Sequence, residues 1–244
     1  MRIAHYLARC GAASRRKAEE FVSAGRVSLN EEIITDLGRQ VEPGQDAVTL
    51  DGKPLVLPSA SLTLLLNKPP EVMVTRDDPQ GRPTIYDLLP AEYQPRASEL
   101  VYAGRLDYLT AGLLVLTTDG ELVNHLTHPR HALPKTYEVE VDAPLTEEQL
   151  TLLREGVDIG DGVTLPAEVR VASKSREDVY SIVLREGRNR QIRRMIQAIG
   201  RRVVRLRRTA IGPLRADLLR LREGQIMELN AEQVSSLLQG GSPT

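Results

Sequence analysis

Two ionisable residues stand one residue apart at the threshold of an apolar run. In AGRLDYLTAGLLVLTTDG, Ala103 to Gly120, Arg105 and Asp107 precede a stretch in which Val115 and its leucine neighbours read as a strand bound for a core. Side chains two apart on an extended chain share a face. Asp107 can therefore be one half of an ion pair that ties down a loop, or a carboxylate kept for chemistry at the core's edge. In the second case burial would raise its pKa and a neighbouring cation would lower it. Tyr137 in TYEVEV poses a similar choice. Aromatic residues make up 3% of the chain, with no Trp and one Phe, so each tyrosine is conspicuous. Tyr137 is either a half-buried strand residue, as Tyr180 in VYSIVL reads, or a ring that stacks on a ligand.

The charge distribution narrows the ligand. The 244 residues carry a formal net charge of −1. Residues 1–30 hold Arg2, Arg9, Arg15, Arg16, Lys17 and Arg26 against Glu19 and Glu20, a local charge of +4. Residues 185–208 hold ten arginines, among them Arg188, Arg190, Arg193 and Arg194, against Glu186, a local charge of +9. Two basic islands in an acidic body suggest a polyanion met at two places, although arginine faces can also be merely solvated.

Other chemistries lack their residues. There is no Walker loop, no G-x-G-x-x-G, no H-E-x-x-H and no G-x-S-x-G. The single cysteine, Cys10, rules out an internal disulfide and a cysteine-rich metal cluster. His125, His128 and His131 are spaced by three, which completes no metal site, and Asp78 precedes Pro79, where turn chemistry explains it. No cofactor and no metal is expected. No apolar run reaches the ~20 residues of a membrane span and no signal peptide opens the chain. The expectation is a cytoplasmic, monomeric protein.

These residues need a scaffold, and the pattern suggests two units. Ile3, Leu7 and Cys10 lie near helical spacing. Ser14 can N-cap a second helix that carries Arg15, Arg16 and Lys17 in its first turn, where the helix N-terminus already attracts phosphate. RVSL, EEII and AVTL read as short strands, the last ending at the hairpin signal Asp51-Gly52. Residues 1–58 form this module, with a linker at about 53–61. Residues 62–240 form the second unit. Its strand candidates are LTLLLN, ELVYAGRL, LLVLT, TYEVEV, EVRVA, VYSIVL and RVVRL. Helices are expected at about 120–128, after the capping box Thr146 to Gln149, and over 189–199. In the last, Ile192, Met195, Ile196 and Ile199 form one stripe, Arg190, Arg194 and Gln197 lie opposite, and Arg193 is on the border. Strands outnumber helices without alternating strictly with them. The fold class is α+β, with a mixed, largely antiparallel sheet.

Several stretches together resemble a known family. GRLDYLTAGLLVLTTDG is similar to the signature of RNA pseudouridine synthases of the RsuA/RluB type, which act on ribosomal RNA. LARCGAASRRKAEEFVSAGRVSLN resembles the alpha-L RNA-binding module shared with ribosomal small-subunit protein four. LLLNKPPEVMVTRDDPQGRPTIYDLLP, LPKTYEVEV and LREGRNRQIRRM resemble the family's opening, tyrosine and C-terminal segments, in the family's order. Two positions depart. Where the family usually has glycine, this chain has Glu31 after Asn30 and Glu71 after Lys-Pro-Pro. Each can alter a turn, because glycine tolerates positive φ and glutamate does so poorly.

The resemblance implies a reaction and roles. A uridine N1–C1′ bond breaks, the base turns, and C5 is joined to C1′, without redox carrier or energy source. Asp107 would act at the ribose beside C1′, attacking the sugar as nucleophile or removing a ribose proton as base. Arg193 would be its cation, Ile192 would pack near the base, Tyr137 would stack on it, and Arg105 would fill the gap left in the RNA. Arg2, Arg15, Arg16, Lys17, Arg26, Arg188, Arg190 and Arg194 would contact RNA. TRDDPQGRPTIYDLLP and TTDGELVNHLTHP look closest to members that modify large-subunit RNA, so 23S rRNA is the expected target. A 16S rRNA target, and a non-enzymatic RNA-binding factor in ribosome assembly, remain alternatives.

Overall fold

The computed structural model describes residues 1–57, 61–173 and 175–239. The N-terminal part comprises α1 (Ile3–Arg9), α2 (Arg15–Ser23) and four strands, β1 (Val27–Leu29), β2 (Glu32–Ile34), β3 (Val48–Leu50) and β4 (Lys53–Leu55). Ser14 caps α2 as its sequence suggests, accepting a hydrogen bond from Lys17 N at 3.3 Å. The sheet runs β2-β1-β3-β4, and Ile3, Leu7, Ala18, Val22 and Val27 are buried beneath the helices. Strand β4 corrects the expected linker, whose first residues pair with β3 instead. Pro54 disguised it. On an edge strand a missing N–H costs no ladder bond. The rest of the expected linker includes 58–60, which lie outside the described residues.

The second part adds β5 (Thr63–Lys68), β6 (Val101–Tyr102), β7 (Ala111–Thr117), α3 (Gly120–Thr127), β8 (Lys135–Val141), α4 (Glu147–Glu155), β9 (Glu168–Ser173), β10 (Arg176–Leu184), α5 (Gln191–Ala198), β11 (Val203–Ile211), β12 (Leu214–Arg215), β13 (Ile226–Glu228) and α6 (Ala231–Gln239). The sheet order is β13-β5-β7-β11-β8-β10-β9, with β12 beside β11 and β6 beside β7. Only β7 and β11 pair in parallel among the described strands, so the sheet is mixed and largely antiparallel.

Both faces of β7 are covered, which explains its unbroken apolar run. Leu113 and Val115 meet α3 and α6 through Leu122, Leu126 and Leu237. Leu114 and Leu116 face the other way, onto Val72, Ile85, Leu100 and Leu106 of the long β5–β7 connection. Helices α4 and α5 pack on β8 and β10 through Leu153, Ile192, Met195 and Ile196. Helix α6 and strands β12 and β13 had no legible signal. The strand expected over ELVYAGRL shrinks to two residues because Gly104, at φ 78, turns the chain before Arg105. Gly112 allows the parallel contact that brings β7 to β11. A Cβ there would lie 2.2 Å from the Arg208 carbonyl oxygen.

The two departures from the family pattern fall in strained backbone. Asn30 and Glu31 form the two-residue turn between β1 and β2, with φ of 50 and 71. Both central residues of such a type I′ turn need positive φ. Glu71 has φ 62 and its N–H donates to Tyr108 O at 2.8 Å. An L-residue in this region loses ~1–2 kcal/mol, offset in part by the extra freedom glycine has in the unfolded chain. Glu31→Gly and Glu71→Gly should each therefore stabilise the protein, by about 0.5–1 kcal/mol in denaturant melts. An unchanged or lower midpoint for both would show that the glutamates carry no strain.

Candidate active site

Asp107 lies on the short connection between β6 and β7, in a turn closed by Thr110 N donating to Asp107 O at 3.0 Å. Leu106 is buried beneath the turn, while Arg105 is exposed and Asp107 partly exposed. The alternation holds: Arg105 and Asp107 line the same two cavities, and the described residues contain no ion pair between them. The cation that meets Asp107 is Arg193, whose Nε lies 3.8 Å from Asp107 Oδ2. Arg193 is the more enclosed partner, with 17% of its side chain exposed against 30% for Asp107. Burial lowers its proton affinity and the Asp107 carboxylate opposes that shift. Its guanidinium stays charged all the same.

A small cavity of about 80 Å³ opens beside Asp107. Asp107, Tyr137 from β8 and Ile192 from α5 are among its walls, with Leu184 and Leu206 as the apolar floor. It neighbours a wider groove of about 440 Å³ lined by Arg105, Asp107, Tyr108, Asn189 and Arg190 among others. Tyr137 is half-buried and packs against both the core beneath α5 and the core beneath the β5–β7 connection. Tyr180, by contrast, is a core residue whose hydroxyl accepts from Leu145 N at 2.8 Å.

The expected arginine face of α5 needs correction. The helix begins at Gln191, and Arg190 is its N-cap, at φ 49, projecting from the loop instead. Arg190 is exposed and lines both cavities beside Asp107. Arg188 and Arg194, expected to contact RNA, are spent within the protein. Arg188 donates to Glu186 Oε2 at 3.1 Å, Gly162 O at 3.0 Å and Val163 O at 2.8 Å. Arg194 donates to Ile159 O at 3.1 Å and Asp161 Oδ2 at 2.9 Å. Together they bind the 159–163 hairpin to the loop before α5, and a guanidinium so used has few donors left. Arg26 is likewise engaged, donating to Asp51 Oδ1 at 2.8 Å and lying 4.3 Å from the Phe21 ring centre. Arg2, Arg15, Arg16 and Lys17 are exposed, Lys17 pairing with Glu20 at 2.6 Å.

Two supporting residues escaped the sequence reading. Gln191 is buried, donates to Glu186 Oε1 at 2.7 Å and accepts from Arg188 N at 3.0 Å, fixing the loop that presents Arg190. Lys68, at the end of β5, is fully buried and donates to Pro69 O at 2.7 Å and Tyr108 O at 3.3 Å. It thus ties the end of β5 to the Asp107 turn at Tyr108. Burial lowers its pKa from 10.5 to about 8, against the opposing pull of Glu223 and Asp107. Polar residues in GRNRQ and NKPP were visible, but nothing in their spacing said they would be enclosed.

The Lys68 shift has a definite sign. Below pH 8 the folded protein holds a buried ammonium at a cost, and the unfolded chain keeps its proton up to about 10.5. Wild-type stability should therefore rise relative to Lys68→Met as pH increases from 8 to 10.5, measured by paired denaturant melts. A constant difference across that window would contradict a buried charged Lys68.

Residues 62–198 match the family model described as RNA pseudouridylate synthase, and residues 1–47 match the S4 domain. An "Uncharacterized RNA pseudouridine synthase" from Aquifex aeolicus (strain VF5) is 38% identical over 97% of this chain and 93% of its own length. A "Ribosomal large subunit pseudouridine synthase B" from Bacillus subtilis (strain 168) is 36% identical over 97% of this chain and 95% of its own. A crystal structure of a pseudouridylate synthase superposes with a TM-score of 0.69 at 29% identity, covering 97% of this chain and 99% of the other. The chain belongs to the RNA pseudouridine synthase family: it is an isomerase acting on RNA, and it carries an S4 RNA-binding domain at its N-terminal end.

Proposed function

We propose that this enzyme isomerises a specific uridine of large-subunit ribosomal RNA, 23S, to pseudouridine, with Asp107 as the essential group at C1′. The observation that carries the proposal is the convergence of Asp107, Tyr137 and Ile192, drawn from three separate segments, on one small cavity, with Arg193 3.8 Å from Asp107. The large-subunit target is supported by the name of the Bacillus relative. Residues 62–239 would carry the chemistry and residues 1–57 added affinity for RNA.

A uridine inside folded RNA must leave its stack to expose C1′, at a cost of a few kcal/mol. Stacking on Tyr137 offsets part of that, by ~1–3 kcal/mol, and Ile192 closes the other side of the base. Arg105, exposed beside Asp107, occupies the space left in the RNA. As the N1–C1′ bond weakens, positive charge grows on the sugar, and a carboxylate beside it stabilises or traps that charge. Arg193, 3.8 Å away, holds the carboxylate in place. The base then turns, C5 joins C1′, the C5 hydrogen leaves as a proton, and N1 takes up a proton.

Asp107→Asn should bind 23S rRNA about as well as wild type and form no pseudouridine, as read by pseudouridine mapping of the treated RNA. Retained turnover would remove Asp107 from its role. The same mapping decides the target: modification of 16S rRNA alone, or of neither RNA, defeats the large-subunit reading. Arg15→Gln with Arg16→Gln should reduce the salt dependence of RNA binding by ~1–2 in log–log slope, since each phosphate contact contributes roughly 0.7–0.9. An unchanged slope assigns those arginines no phosphate.

A further inference from the structure

Tyr108 follows Asp107 directly, and nothing in the chemistry above uses its ring. Its backbone is firmly held: the carbonyl accepts from Glu71 N at 2.8 Å and from Lys68 Nζ at 3.3 Å. Its side chain is half-buried and forms part of the wall of the 440 Å³ groove next to Asp107. The Arg82 guanidinium lies 5.5 Å from the ring centre, within cation–π range. Arg82 is itself immobilised, donating Nε to Asp78 Oδ2 at 3.0 Å and Nη2 to Asp78 Oδ1 at 2.7 Å. The aspartate that reads in sequence as a turn residue thus also fixes a cation on a tyrosine.

The groove has the composition of a nucleotide subsite. Tyr108 supplies an aromatic face, Met73 and Val74 supply apolar edges, and Arg105 and Arg190 are exposed and take part in no ion pair among the described residues. Aromatic faces with flanking arginines are how single-stranded RNA is held without reading its sequence, the ring stacking a base and the cations meeting phosphates. The groove shares Asp107, Arg105, Leu106 and Arg190 with the small cavity, so an RNA strand whose uridine enters that cavity has its next nucleotide over the groove.

We propose that Tyr108, steadied by Arg82, is the stacking platform for a nucleotide adjacent to the target uridine. Tyr137 takes the extruded base and Tyr108 its neighbour, with Arg190 on the phosphate between them and Arg105 in the gap the base leaves. This rests on the reading of Asp107 as the catalytic carboxylate.

The test uses the full chain and 23S rRNA transcribed with uridine tritiated at C5, since joining C5 to C1′ releases that hydrogen to water. Tyr108→Ala should raise KM at least fivefold, the low end of what one stacked base contributes. Tyr108→Phe should stay within about twofold of wild type, because stacking needs the ring and not the hydroxyl. Once the modified uridine is mapped, an abasic residue beside it should weaken binding to wild type but not to Tyr108→Ala. An unchanged KM for Tyr108→Ala overturns the proposal. So does an equal abasic penalty in both proteins, or a Tyr108→Phe defect as large as that of alanine at an unaltered melting temperature. Failure of the underlying reading looks different: wild type would then release no tritium from this RNA, or Asp107→Asn would release it as fast.

Discussion

The contact between Arg193 and Asp107 joins two halves of the sheet that no local signal connects. Asp107 stands at the mouth of β7, beside one pair of cores, and Arg193 on α5, above another. At 3.8 Å the two charges touch without a short hydrogen bond. A tight bidentate pair would occupy the carboxylate fully, whereas this looser one leaves part of it open to the cavity. The geometry depends on β7 and β11 lying side by side in parallel, and hence on Gly112, which lets the Arg208 backbone approach. A side chain at that point would push apart the strands that carry both sides of the site.

The ten arginines between residues 185 and 208 illustrate how poorly charge counts translate into function. Arg188 and Arg194 are structural, clamping the 159–163 hairpin, and Arg193 serves the carboxylate. Arg208 is buried, donating to Leu113 O at 2.7 Å across the parallel junction. Arg190, in a left-handed backbone at the N-cap, takes part in no ion pair among the described residues and lies beside Asp107. Much of what looked like one basic surface is a set of separate internal tasks.

Period and punctuation reveal some parts of this molecule and not others. The apolar runs of β5 and β7, the isoleucine stripe of α5 and the caps at Ser14 and Thr146 are local, and they were legible. So was the shared direction of Arg105 and Asp107, which follows from a two-residue period. Strand β4 was hidden by Pro54, whose cost depends on whether the strand lies at an edge, a tertiary fact. Lys68 and Gln191 were hidden because burial of a polar side chain is decided by distant segments. The pairing of Asp107 with Arg193 came from resemblance to a family, not from any spacing within the chain.

Glu31 and Glu71 add a different kind of information. Both sit at positive φ, so the backbone at these turns kept its shape although the residue best suited to it is absent. The turns must therefore be held from outside. At Glu71 the restraint is visible: its N–H is tied to Tyr108 O, the same carbonyl that Lys68 reaches, one residue from Asp107. A loop free to relax would move off the left-handed region and take Tyr108 with it. That the carbonyl is held from two sides means the position of the Asp107 turn is set by the protein before any RNA arrives, which is the condition under which a fixed charge is most effective against a developing one.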